Sequence, residues 1–329
     1  MPFRKTFDAY VPSNGKELFA LTKIKPDYVP FDTLRSIPLD PAHTASFEYA
    51  KQITPHEGFI HSIRCYYFAL AILHNGFPSG TPGMPQITFE ELNRRMYHTC
   101  ILHDLGWTTT SEGRGHLAGA MTFELHGGIM AFEHLQAAAP DLNAQQVGDI
   151  VQSIVLHTSE WASGKSSATK TLMSLSALFD VSGYDAQGPG SLNFLINRKT
   201  VQEIEKEYPR GNFAAEGVET LQKEFVNKPD CFLSHFYNGP DDFLKTISIP
   251  VPPYEGFLHS IRCYYFTLTI LHNGFPSGIP GVPQSTFEEF NRRIYHSSHS
   301  KSTYAGTITT PSAIVMLRST MRTLVQLRQ

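Results

Sequence analysis

The segment HEGFIHSIRCYYFALAILHNGFP, from His56 to Pro78, restricts the fold of this chain more than any other. Apolar residues at Phe59, Ile60, Ile63, Tyr67, Leu70, Ala71 and Leu73 cover most of a helical circumference rather than one stripe. Such a helix has to be surrounded by other elements, which makes it a core helix. Asn75-Gly76 and Pro78 stop it. It carries two polar groups inward, His61 and Arg64, three residues apart and so on one face. A histidine in so apolar a helix is ordinarily a core residue with one backbone partner. It becomes a ligand only if other ligands face it.

Those other ligands follow. A Gly/Pro loop, GFPSGTPGMPQ, leads to TFEELNRRMYHTCILHDLGW, which Thr88 opens as an N-cap with Glu91 at the capping-box position. The helix delivers the doublet His103–Asp104 just ahead of Gly106, a helix-end signal. Neighbouring residues on a helix point about 100° apart. An imidazole and a carboxylate placed there can meet one cation, and they suit zinc, iron or manganese.

The next helical pattern, AMTFELHGGIMAFEHLQAAA, holds Glu124 and His126 before the pair Gly127-Gly128. Two glycines inside a helix cost roughly 1–2 kcal/mol, which close approach of another backbone or of a metal site would offset. NAQQVGDIVQSIVLHTSEW is amphipathic and ends on His157. ATKTLMSLSALFDVSG carries Asp180 at its C-terminal end, the unfavourable end of the helix dipole for a carboxylate. Asp180 therefore calls for a cation, either a metal or a salt-bridge partner. RKTVQEIEKEYP and FAAEGVETLQKEFVNKPD read as charged, surface-facing helices. Residues 1–45 are Pro-rich and read as an arm over the domain with one short helical turn, helical pattern beginning near Ala45. Strong helices without strand periodicity make the first ~245 residues an all-α domain.

Composition narrows the function. A net charge of -3 and a pI near 6.6 argue against a dedicated nucleic-acid binder. No apolar run reaches the ~20 residues of a membrane span, and the first residues lack a signal-peptide core. The four cysteines, Cys65, Cys100, Cys231 and Cys263, form no CxxC pair, and reduced thiols in a cytoplasmic protein are the simplest reading. There is no P-loop, and Arg64, Arg94, Arg95 and Arg114 are scattered rather than gathered into a phosphate cradle.

His61, His103-Asp104 and Asp180, each on its own helix, resemble the H…HD…D signature of the HD-domain metal-dependent hydrolase superfamily. The order HSIRCYYFALAI, LHDLGWTT, MTFELHGG, a helix ending in His, LFDVSG, and the YPR and KPDC segments is similar to the fungal cyanamide hydratase family, over about residues 45–235. The resemblance implies an HD-domain helical bundle holding one divalent metal, usually zinc, with iron or manganese as alternatives. It implies hydration of a small nitrile-type substrate, cyanamide, to urea. Carried over, it makes His61, His103, Asp104 and Asp180 the metal ligands. Asp104 then belongs to the catalytic set, and Glu124 and His157 are candidates for proton handling, or for bracing a ligand imidazole. Two positions depart from the family: His126 stands where an aromatic is common, and VSG follows Asp180 in place of Asn-Val-Gly. His126 and His157 are thus further metal-ligand candidates. With them the pattern becomes that of two-metal HD phosphohydrolases and di-iron oxygenases, the second functional reading. A non-enzymatic helical scaffold is the third.

Residues 254–296 repeat 56–98 with 34 of 43 positions identical at an offset of 198. The copy ends at His296, before any equivalent of the doublet, so His259 lacks a His-Asp partner in its own copy. The organisation expected is an arm (1–45), an HD domain (46–245), a partial repeat of its first metal-ligand helix (246–296), and a Ser/Thr-rich linker with a basic amphipathic helix (297–329). The duplicated apolar helix needs cover from its own domain or from a second copy of the chain, a homo-oligomer. The other expected partner is a small-molecule substrate.

Overall fold

The computed structural model describes residues 3–21, 25–39, 41–159, 161–185, 191–235 and 239–248. The repeat at 254–296 and the segment 297–329 lie outside the described residues, with every expectation attached to them.

The described chain is mostly helical. In order come strands β1 (Thr6–Asp8) and β2 (Tyr10–Pro12), then helices α1 (Gly15–Leu21), α2 (Phe31–Arg35), α3 (Pro41–Ile53) and α4 (His56–Gly76). Strand β3 (Gln86–Thr88) runs into α5 (Phe89–Leu102), followed by α6 (Ser111–Arg114), α7 (Phe123–Ala138) and α8 (Ala144–Leu156). Strand β4 (Lys165–Ser167) runs into α9 (Ala168–Ser182), and α10 (Arg198–Glu207), α11 (Phe213–Asn227) and α12 (Pro240–Ser248) complete the series. Helix α12 crosses position 245, so the helical unit runs slightly past the boundary expected from sequence.

Helix α4 is the centre, as its all-round apolar pattern requires. It packs against α5 and α9, with α10 and α11 on further sides, and Arg64 is wholly buried within it. Helix α8 closes the bundle over α5, α7 and α9. The Thr88 side chain accepts the Glu91 amide, as an N-cap should. The Glu91 carboxylate instead accepts from Arg95 and from Gln146 of α8, so it ties α5 to α8 rather than closing a capping box. The glycine pair in α7 allows close approach. A Cβ on Gly127 would lie 3.0 Å from the Gly106 amide nitrogen, and one on Gly128 would lie 2.6 Å from Val155 Cγ2. Among the described residues no helix is long and apolar enough to cross a membrane.

The arm departs from expectation. It is stitched on by two short antiparallel pairings, β1 with β3 and β2 with β4, each three residues long. Three residues are too few to show an alternating pattern in sequence. The arm also supplies core, through Phe7, Val11, Leu18, Val29, Phe31 and Leu34. Thr200 of α10 pins it: its hydroxyl donates to the Val29 carbonyl at 2.8 Å and accepts the Val29 amide at 2.9 Å. Thr200→Val should orphan both buried groups and cost about 1–3 kcal/mol, read as a lower urea midpoint with an unchanged slope.

Candidate metal centre

Five side chains at or just beyond helix positions converge inside the bundle. Helix α4 supplies His61 and, one turn later, Cys65. His103 is the residue on which α5 ends, and Asp104 follows it before the short turn Leu105–Trp107. His157 closes α8 in the same way. His61, His103, Asp104 and His157 are all buried. The ligand atoms of His103, Asp104 and His157 lie within 4.8 Å of one another, and so do those of His61, Cys65 and His103. These buried His, Asp and Cys groups could hold a metal ion.

Each imidazole is held from behind. His61 Nδ1 is 2.5 Å from Asp180 Oδ2, His103 Nδ1 is 2.8 Å from the Cys100 carbonyl, and His157 Nδ1 is 2.7 Å from the Ile154 carbonyl. Donation from Nδ1 fixes the tautomer and leaves Nε2 as the free lone pair, the arrangement that metal-ligating histidines adopt. His61 Nε2 and His103 Nε2 then face each other at 3.3 Å. Two lone pairs at that distance repel unless a cation or a proton lies between them.

Asp104 sharpens the point. Its Oδ2 is buried with no hydrogen-bond partner, 3.2 Å from His103 Nε2 and 3.7 Å from His61 Nε2. An unsatisfied buried carboxylate oxygen is costly, and a metal ion is a group that would satisfy it together with the two imidazoles. The residues present therefore fit a metal. Burial by itself would raise the Asp104 carboxyl, but the His103, His61 and His157 rings outweigh it and hold it below its ordinary value. Burial would likewise depress His103, and the adjoining Asp104 carboxylate reverses the direction. Burial pushes His157 down to about 3, so its ring is neutral.

Asp180 meets the centre through His61. Besides His61 Nδ1 it receives the Arg64 guanidinium through two contacts of 2.8 Å and Arg210 Nη1 at 3.2 Å. Burial opposes its charge, yet Arg210 and Arg64 hold the carboxyl well below the usual range. The cation that the helix-dipole argument required is thus a pair of arginines. In this arrangement Asp180 braces His61. The clamp extends to the YPR segment, where the Tyr208 and Pro209 carbonyls accept from Arg64 at 3.4 and 3.0 Å.

The remaining candidates fall elsewhere. His126 is buried, but its ring stacks on His116 at 5.5 Å between centroids and it is not among the converging groups. Burial, with Lys228 and His116 nearby, lowers it to about 4. Glu124 is fully buried, and its oxygens accept the hydroxyls of Thr122 and, at 2.6 Å, Thr158. Burial raises its carboxyl above the ordinary value.

A cavity of ≈ 990 Å³ opens over the centre, lined by His61, His103, Asp104, His157 and Thr158 among others. Three contributors escaped the sequence reading. Cys65 sits four residues after His61, a same-face spacing, with its thiol sulfur 3.6 Å from both ring nitrogens. Burial drives that thiol well up, so it is protonated. Arg210 had no signal beyond the segment that carries it. Phe213, in a helix read as surface-facing, is buried and stacks on His61 at 4.4 Å. Compared with models of known protein families and with curated proteins, the chain finds no match in either.

Proposed function

We propose that this chain is a one-metal hydratase of the HD-domain type, adding water to a nitrile-type substrate as in cyanamide to urea. The observation that carries the metal is the buried set of Nε2 lone pairs around the orphaned Asp104 Oδ2. The resemblance over residues 45–235 supplies the reaction. Zinc is the metal proposed, with iron and manganese as the alternatives; two imidazoles and a carboxylate are its ordinary ligands.

His61, His103 and Asp104 would hold the ion, with His157 beside them and Asp180 fixing the His61 ring. When bound, the metal supplies a Lewis acid and lowers the pKa of water toward ~7. The chain does the rest. His157, neutral, presents an acceptor Nε2 to the water and orients its lone pair toward the nitrile carbon. Phe213 excludes bulk water from the face of His61. Glu124 acts through Thr158, whose hydroxyl it holds at the cavity wall. A protonated Glu124 would reverse that bond and donate to the Thr158 oxygen, freeing the Thr158 hydroxyl proton to pass toward the nitrile nitrogen.

Two observations weigh against the other enzymatic readings. Among the described residues no arginine lines the cavity. Arg64 is spent on Asp180 and Arg95 on Glu91 and Asp149, so neither is available to hold a phosphate in the cavity. A second metal would need His126, whose ligand atoms are not among those that converge with the centre in the described residues. A scaffold has no use for a buried convergent ligand set.

The test is metal content by mass spectrometry, with urea measured after cyanamide is added. Urea formation that a chelator abolishes and zinc restores is the expected result. Full metal occupancy without hydration of cyanamide or of any substituted cyanamide would overturn the hydratase. Stoichiometry should be one ion per chain and should stay at one in His126→Ala; a fall from two to one would restore the two-metal reading.

A further inference from the structure

Cyanamide has only three heavy atoms, and the space over the metal centre is ≈ 990 Å³. That is the upper end of the ~300–1,000 Å³ typical of sites for drug-sized ligands. Hydration itself needs only the few ångströms within reach of His61, His103 and Asp104. What fills the rest has to suit its walls. These are largely aromatic and aliphatic, with Trp107, Phe123, Leu156, Trp161, Leu178 and Phe243 on them. Trp161 is 50% exposed, an indole left to water where a ligand could cover it. The charged groups on the lining are few. Beyond Asp104 they are the lysines 16 and 170, and Lys170 already donates to the Ser159 carbonyl at 2.8 Å. A small polar molecule would leave most of this apolar surface covered only by water.

We propose that the preferred substrate is a neutral nitrile or substituted cyanamide bearing an apolar group of at least phenyl size, which lies along these walls while the nitrile reaches the centre. The inference rests on the hydratase reading. The reaction balances with water alone. Its oxygen bonds to the nitrile carbon, the carbon–nitrogen triple bond becomes a single bond, and both water protons end on that nitrogen. From phenylcyanamide the product is phenylurea, with no leaving group and no change of oxidation state.

The chain has two tryptophans, Trp107 and Trp161, and both line the cavity. Intrinsic fluorescence therefore reports occupancy independently of turnover. Phenylurea added to the purified full chain should quench it saturably, and urea at the same concentrations should not. In turnover, phenylcyanamide should exceed cyanamide in kcat/KM by at least about tenfold, since even one buried methylene is worth about that in an apolar pocket. Trp161→Ala should lower the phenylcyanamide-to-cyanamide ratio by a similar factor. Hydration of cyanamide with phenylcyanamide no better, and no quench by phenylurea, would overturn this inference and leave the hydratase standing. Hydration of neither compound by the metal-loaded chain would overturn both.

Discussion

Asp104→Ala should leave a folded protein that retains no metal and hydrates nothing above background. The expectation follows from the balance of groups in the pocket. Asp104 is the anionic oxygen among the converging donors that no hydrogen bond satisfies. The imidazoles around it bind a metal only in their neutral form, and Asp180, the other buried carboxylate nearby, is already neutralised by Arg64 and Arg210. Removing Asp104 leaves a divalent ion facing neutral rings in a buried site, where an uncompensated charge is prohibitive. The helix need not suffer, because Asp104 follows the last turn of α5 and caps nothing by its side chain. Far-ultraviolet circular dichroism should therefore be unchanged while metal content falls to background. Asp104→Asn separates charge from shape, since it keeps an oxygen but not the negative charge, and it should also fail to hold the ion. Full occupancy in either variant would remove Asp104 from the ligand set.

The sequence announced the donors better than their supports. His61, His103, Asp104 and His157 were legible because each is a polar intrusion at the end or within the apolar face of a strong helical pattern. That placement costs free energy unless the groups meet something. Asp180 was legible as a carboxylate in need of a cation. Its partners were not, because Arg64 faces it across two helices and Arg210 comes from a connection thirty positions downstream. Spacing along one helix reports neighbours three and four residues apart, and it is silent on contacts between elements. The same limit explains Phe213. Its helix is amphipathic with many charges, and its buried face, Phe213, Gly217 and Leu221, is narrow enough to be lost among them. Cys65 was within reach of the spacing rule. Its position one turn beyond His61 is a same-face spacing that the sequence itself displays. The all-α class was secure from helical period, whereas the three-residue strands that fasten the arm carry no period at all.

Gly106→Ala should be strongly disruptive. Helix α7 packs directly on the turn Leu105–Trp107, and a Cβ at Gly106 would overlap the Phe123 carbonyl oxygen and crowd Phe123 Cα at 3.0 Å. The atoms met are backbone, so no rotamer change can relieve them. Either α7 must shift or the turn must. Both carry site residues: the turn begins one residue after Asp104, and α7 holds Glu124 against Thr158. Overpacking of this kind costs about 1–3 kcal/mol and sometimes more, and backbone obstruction places Gly106→Ala at the upper end. A displacement of even ~1 Å at the doublet is enough to lower turnover by about 10²-fold. Gly148→Ala in α8 is the matching control. A Cβ there meets nothing within 4 Å, so the added methyl should be neutral or favour the helix slightly. Thermal unfolding of both variants, with metal content alongside, checks the comparison. If Gly106→Ala melts with the wild type and keeps its ion, the tight seat of α7 on the doublet turn does not hold the site.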